Sequence, residues 1–289
     1  MKTIPVSKAL LPCLRFIFFC LSFTARTQEL PADNQNIFVT ELEKKALHEP
    51  PFENEALLFF MAYDSSLDIK EYSVLKNELT EFVVKLERRK SRFKADMEYA
   101  KFVFDKTHAK YLRHYIKYIP FNQLFHNGNF NCLSGTALYA YLFEQLGFRV
   151  QIFETRYHSF LTITNHGILK ALIEATDGEN GFINGADKVK STIEEYQLNE
   201  SKLVPDRNAV PVEHYPRLNP ISIKELAGLH YLNLAVVHFN ISEYQKSLIS
   251  LKKAELLYPA SKRIKEMISM ALLCSYEPRF SDFYSFDKK

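Results

Sequence analysis

Between Asn127 and Asp177 the apolar residues change their period, and that change constrains the fold more than any other feature of the chain. Ala137, Leu138, Tyr141, Leu142 and Leu146 recur at three- and four-residue steps, which marks one face of a helix, and Gly147 stands where a helix-ending glycine belongs. The pattern then turns to alternation over RVQIFET (149–155) and, less strictly, HSFLTIT (158–164). A third such run, LKALIEA (169–175), follows the turn signal Asn165-His166-Gly167. A helix followed by a small antiparallel sheet predicts an α+β layout.

The flanks read as helical, in keeping with only 8 Gly in 289 residues. Leu57, Leu58 and Met61 share a face, as do Leu75, Leu79, Phe82 and Val83, and Phe93, Met97, Phe102 and Phe104 punctuate a basic stretch after them. Residues 28–120 are therefore expected to form an N-terminal arm and helices packed on the core, with the core itself in 121–220. Asp177-Gly178-Glu179-Asn180-Gly181 closes the strand unit as a turn, and the polar stretch to Pro220, with one expected helix (STIEEYQLNE), reads as a linker or covering loop. Residues 221–289 form a helical C-terminal region.

The N-terminus has the three parts of a secretory signal: Lys2, Lys8 and Arg15, then the apolar run FIFFCLSF (16–23), then the small residues Thr24, Ala25 and Thr27. The run falls short of the roughly 20 residues that a spanning helix needs. Cleavage after Thr27 would remove residues 1–27 and leave no stable membrane span, with the mature protein periplasmic or extracellular. An uncleaved anchor is the alternative, and lipid attachment at Cys20 a poorer one, because Phe18 and Phe19 are bulky where small residues are wanted.

Once the signal is gone, Cys132 and Cys274 are the only cysteines. They either form one bridge, or Cys132 is a working thiol and Cys274 a core residue. A net charge of +3 with Lys and Arg interspersed among acids gives no basic stripe and excludes nucleic acid as a partner. The histidines lack metal-ligand spacing, so no metal is expected, and the few scattered glycines form no phosphate loop, so no cofactor is expected either.

Cys132 sits where the polar loop Asn127–Asn131 meets a helix start, where free N–H groups and the helix dipole favour a thiolate. Ser134, Gly135, Thr136 and Ala137 allow close backbone approach, and Asn131, Asn129 or Gln123 could supply a side-chain amide to an oxyanion. His158, at a strand start, could take the thiol proton, and Asp177, just past the end of the next strand, could orient the imidazole if the two strands are antiparallel neighbours. Glu174 is read as a surface residue, on the opposite face of its strand from Ala175.

The segments GNFNCLSGTALYAYLFEQLGF, YHSFLTI and LIEATDGENGF, spanning roughly 121–182, resemble the transglutaminase-like superfamily with its papain-type thiol core. The resemblance implies a Cys132–His158–Asp177 triad acting on amide bonds of a protein, a peptide or the cell wall, by hydrolysis or acyl transfer. It equally covers members that have lost activity and serve as scaffolds, and this chain lacks the Trp often kept near the site. Tyr231, Leu234, Ala235, His238, Ser247, Leu251, Ala254 and Pro259 together resemble a single tetratricopeptide repeat, with His238 and Ser247 as departures. That resemblance implies a helical hairpin docked on the core, where a protein partner could bind.

Overall fold

The computed structural model describes residues 37–47, 56–156, 158–165, 168–202 and 218–276. The predicted signal, its alternatives through Cys20, the His166-Gly167 turn and much of the covering loop (203–217) lie outside the described residues. The fold is α+β, as the change of period predicts.

Helices α1 (Glu41–Leu47), α2 (Ala56–Met61), α3 (Ile69–Glu87) and α4 (Asp96–Tyr111) precede the sheet. Asp68 caps α3 by accepting from the Glu71 N–H at 2.7 Å, and the helix buries Tyr72, Leu75, Leu79, Phe82 and Leu86 on one side. Two short strands, β1 (His114–Tyr115) and β2 (Asn129–Phe130), then pair in parallel, with α5 (Gln123–His126) between them.

Helix α6 (Cys132–Gln145) is buried at every residue from Leu133 to Phe143, because α2, α4, the sheet and a later helix all pack around it. Its end is set by Gly147, whose φ of +84° lies in the left-handed region that glycine adopts without steric cost. β3 (Arg149–Glu154), β4 (Ser159–Asn165) and β5 (Ile168–Ile173) follow as an antiparallel meander, with Ile152 opposite Leu161 and Leu161 opposite Ile173. Beyond it come β6 (Phe182–Asn184), α7 (Ala186–Lys202) and β7 (Asn219–Ile221), and the described sheet has the order β6-β5-β4-β3-β7.

Both faces of this sheet are covered. Ile152, Leu161, Ile163, Ala171 and Ile173 join the main core against α6. Phe160 and Leu172 face the other way and pack with Val189 of α7, with Phe153, Ile193 and Tyr196 around them. The expected helix inside the linker is thus longer than STIEEYQLNE, and it forms a second covering layer rather than a connection.

Helices α8 (Ile223–Asn240), α9 (Tyr244–Leu257) and α10 (Lys262–Tyr276) complete the chain's described part. α8 opens with a capping box between Ser222 and Glu225. α8 and α9 form an antiparallel hairpin in which the Ser247 hydroxyl donates to the Ala235 carbonyl at 2.9 Å. Two polar ties hold these helices to the rest. Glu154 of β3, fully buried, accepts from the Tyr258 hydroxyl at 3.0 Å and pairs with Arg263 at 3.1 Å. Lys253 of α9 pairs with Glu43 of α1 at 2.8 Å, and both side chains are almost wholly buried. The Lys253–Glu43 pair offsets a desolvation cost of several kcal/mol per ion, so losing one partner is far more harmful than losing both. Cys132 and Cys274 are both free thiols, which excludes the bridge between them. Among the described residues no helix is long and apolar enough to cross a membrane.

Candidate active site

The start of α6 is fixed by its own sequence. Asn131 has extended backbone and caps the helix: its side-chain oxygen accepts from the Ser134 N–H at 2.9 Å, and the Ser134 hydroxyl accepts from the Asn131 N–H at 2.9 Å. The Asn131 amide nitrogen donates to the carbonyls of Lys117 (3.0 Å) and Ile119 (3.4 Å). Both ends of this buried amide are therefore committed, and the expected role of Asn131 as an oxyanion donor is corrected to that of a cap. Cys132 occupies the first helical position, where an α-helix supplies no acceptor for the backbone N–H.

Three close approaches register α6 against the sheet. The Thr136 hydroxyl donates to the Ser159 carbonyl at 3.1 Å, and the Ser159 hydroxyl to the Thr136 oxygen at 3.4 Å. Gly135 lies so near Ala175 that a Cβ on it would come within 2.7 Å of the alanine methyl. Thr136 is one turn beyond Cys132, Ser159 follows His158, and Ala175 follows Glu174. Docking these neighbours brings Cys132, His158 and Glu174 to one end of the sheet. The backbone of His158 is held by Thr155, whose hydroxyl accepts from the His158 N–H at 3.1 Å and whose N–H donates to the His158 carbonyl at 2.9 Å.

The imidazole lies between an acid and the thiol. His158 Nε2 is 2.5 Å from Glu174 Oε2, which leaves Nδ1 as the atom that can exchange a proton with Cys132. Burial works to lower the His158 pKa, but hydrogen bonding to Cys132 and Glu174 and the charges of both outweigh it and push it up to about 10. Burial likewise works to raise the Glu174 carboxyl, yet His158 and the Thr176 hydroxyl and N–H hold it below the ordinary carboxylate range. Glu174 is saturated with donors: Thr176 N–H (3.0 Å) and Oγ1 (2.6 Å) reach Oε1, and the Tyr196 hydroxyl reaches Oε2 at 2.8 Å.

Asp177, expected to orient the imidazole, is engaged elsewhere. Its Oδ1 accepts from the N–H groups of Glu179 (3.1 Å) and Asn180 (2.8 Å), which shapes the turn after β5, and its charge bears on His108 beneath that turn. The acid beside His158 is Glu174, which is 8% exposed rather than a surface residue. The sequence signal for it was the strand LKALIEA itself. Alternation alone leaves the second face of that strand to solvent, whereas α7 covers it. Gln123 lies on α5, where its side-chain oxygen accepts from Asn127 at 3.1 Å, and Asn129 lies in β2, paired with His114. Tyr115 of β1, half exposed and without a sequence signal of its own, meets the Phe130 ring edge-on at 5.8 Å, and its phenol senses Cys132 and Glu174. Its pKa is raised by burial and by those two charges.

Among the described residues no group of three or more His, Cys, Asp or Glu side chains is placed to hold a metal ion. Comparison with protein-family models, with curated proteins and with solved structures finds no match to this chain.

Proposed function

We propose that the chain is a thiol enzyme of transglutaminase-like type that acts on amide bonds through Cys132, His158 and Glu174. The observation that carries this is the placement of one imidazole between a buried, hydrogen-bonded carboxylate and a partly exposed thiol at a helix N-terminus. The order of elements supports the family reading: Cys on a helix start, His at the head of one antiparallel strand, an acid at the end of the next. The α8–α9 hairpin, with Ala235 and Ala254 buried and Ser247 bridging to Ala235, supports the tetratricopeptide-like reading of the C-terminal region.

In the reaction the Cys132 sulfur attacks the substrate carbonyl carbon, while His158 holds the thiol proton on Nδ1. The oxyanion receives the Cys132 N–H. Collapse breaks the C–N bond as His158 delivers that proton to the leaving nitrogen, and an acyl thioester remains on Cys132. His158 then takes a proton from water, the hydroxyl adds to the thioester, and the carboxylic acid departs as the thiol regains its proton. Glu174 stays ionised throughout and orients the ring. An amine in place of water gives transamidation; hydrolysis is the preferred reading, because water is always available and nothing in the sequence marks an amine site. The substrate is a protein, a peptide or a cell-wall amide outside the cytoplasm, a location that rests on residues 1–27.

Alkylation of Cys132 by iodoacetamide as a function of pH tests the site. Fast labelling at pH 6, well under the value of about 8.5 for an ordinary thiol, should collapse in His158→Ala. Labelling that rises only at alkaline pH and ignores His158 would overturn the reading.

A further inference from the structure

We propose that Tyr196 is a positioning residue of this site, its hydroxyl fixing Glu174 Oε2 and its ring shielding the hydrogen bond between His158 and Glu174. The inference rests on the reading of Cys132, His158 and Glu174 given above and adds a fourth member from a different layer of the fold.

A buried carboxylate is tolerated only when its lone pairs are filled. Thr176 fills Oε1, and it does so locally, from two residues away in the same turn. Oε2 is shared between His158 Nε2 at 2.5 Å and the Tyr196 hydroxyl at 2.8 Å. Tyr196 is the donor that arrives from α7, and it adds to Oε2 a second restraint, from another layer of the fold, beside that of His158. The ring is itself immobilised, stacked on Phe160 at 4.9 Å with the planes 18° apart, and it lies 6.2 Å from the His158 ring. It thus sets an aromatic ring beside the imidazole, tilted 35° from it. Burial and the neighbouring Glu174 charge raise the phenol well above its ordinary range, so it stays an O–H donor wherever the protein is folded.

A donor to the ionised form keeps a carboxyl acidic, so removing it must raise the Glu174 pKa. The other titratable groups around this pair are Cys132 on α6 and Tyr115 on β1, with Asp177 and Glu195 bearing on the phenol. None of them donates to Oε2 in place of Tyr196.

The test follows the Glu174 carboxyl by carbon NMR in the full mature chain, its signal identified by its loss in Glu174→Gln. Tyr196→Phe keeps the stack and removes the donor. It is expected to raise the Glu174 midpoint by about half a pH unit or more, in line with the loss of one hydrogen bond to a charged group. The acid limb of Cys132 alkylation should move up with it. Tyr196→Gln, which retains an N–H donor, should restore both, and Tyr196→Met replaces the Phe variant if that one does not fold. An unchanged Glu174 midpoint overturns the proposal, as does a shifted midpoint with a stationary acid limb. Failure of the catalytic reading is seen separately, as wild-type labelling indifferent to His158→Ala, while the NMR arm still decides what Tyr196 does to Glu174.

Discussion

Replacing Glu174 by Gln and Asp177 by Asn separates the acid bonded to His158 from the acid that caps the turn after β5. In Glu174→Gln the side-chain oxygen can still accept from Thr176, but an amide NH2 now faces the Tyr196 hydroxyl and His158 Nε2, and the negative charge is gone. A hydrogen bond to a charged group contributes about 1.5–3 kcal/mol. Taking about 2 kcal/mol, roughly a 30-fold drop in the Cys132 alkylation rate at pH 6 is expected. Asp177→Asn keeps an acceptor for the Glu179 and Asn180 N–H groups, so its rate should stay within about twofold of wild type. The same pair of variants predicts a stability profile. The raised His158 pKa means its contribution is full below the ordinary imidazole value of about 6.5 and is lost as pH rises through about 10. The depressed Glu174 pKa means its contribution is present above the ordinary carboxyl value of about 4.3 and is lost as pH falls through the lowered one. The gap in Tm between wild type and Glu174→Gln should therefore be widest between about pH 4.3 and 6.5 and close on both sides. A rate in Asp177→Asn as low as in Glu174→Gln, or a Tm gap that does not change with pH, would refute the reasoning.

Two further substitutions probe the frame around the site. Thr136→Val removes the hydroxyl that meets the Ser159 carbonyl without changing shape much; it should cost about 1 kcal/mol in denaturant unfolding and slow alkylation of Cys132, and full retention of both would mean the α6–β4 contact does not set the site. Glu43→Ala strands a buried Lys253 ammonium and should cost about 3–5 kcal/mol, whereas Glu43→Leu combined with Lys253→Met should melt close to wild type. Equal losses in the single and double variants would count against a desolvation origin.

What the sequence disclosed and what it hid follow from the range of each interaction. The α6 face, its glycine stop and the three-strand meander depend on neighbours a few residues apart, so their periods are visible. Cys132 at the helix start and His158 at a strand head are legible for the same reason. Asn131 as a helix-capping residue is legible too, since Asn is a favoured N-cap ahead of an apolar-periodic run, whereas its partner Ser134 shows only in the structure. Glu174 was hidden because its burial is decided by α7, which a turn and β6 separate from its strand. Glu154 was hidden more deeply: Tyr258 and Arg263 lie 104 and 109 residues away, and no local pattern reports them.

The described sheet ends on both sides in a strand of three residues, β6 and β7, and β7 carries Pro220 opposite Phe153. A proline offers no N–H, and strands this short leave few groups with which another chain could register. The fold thus guards its margins against strand-by-strand recruitment, whether by a second copy or by an extended peptide.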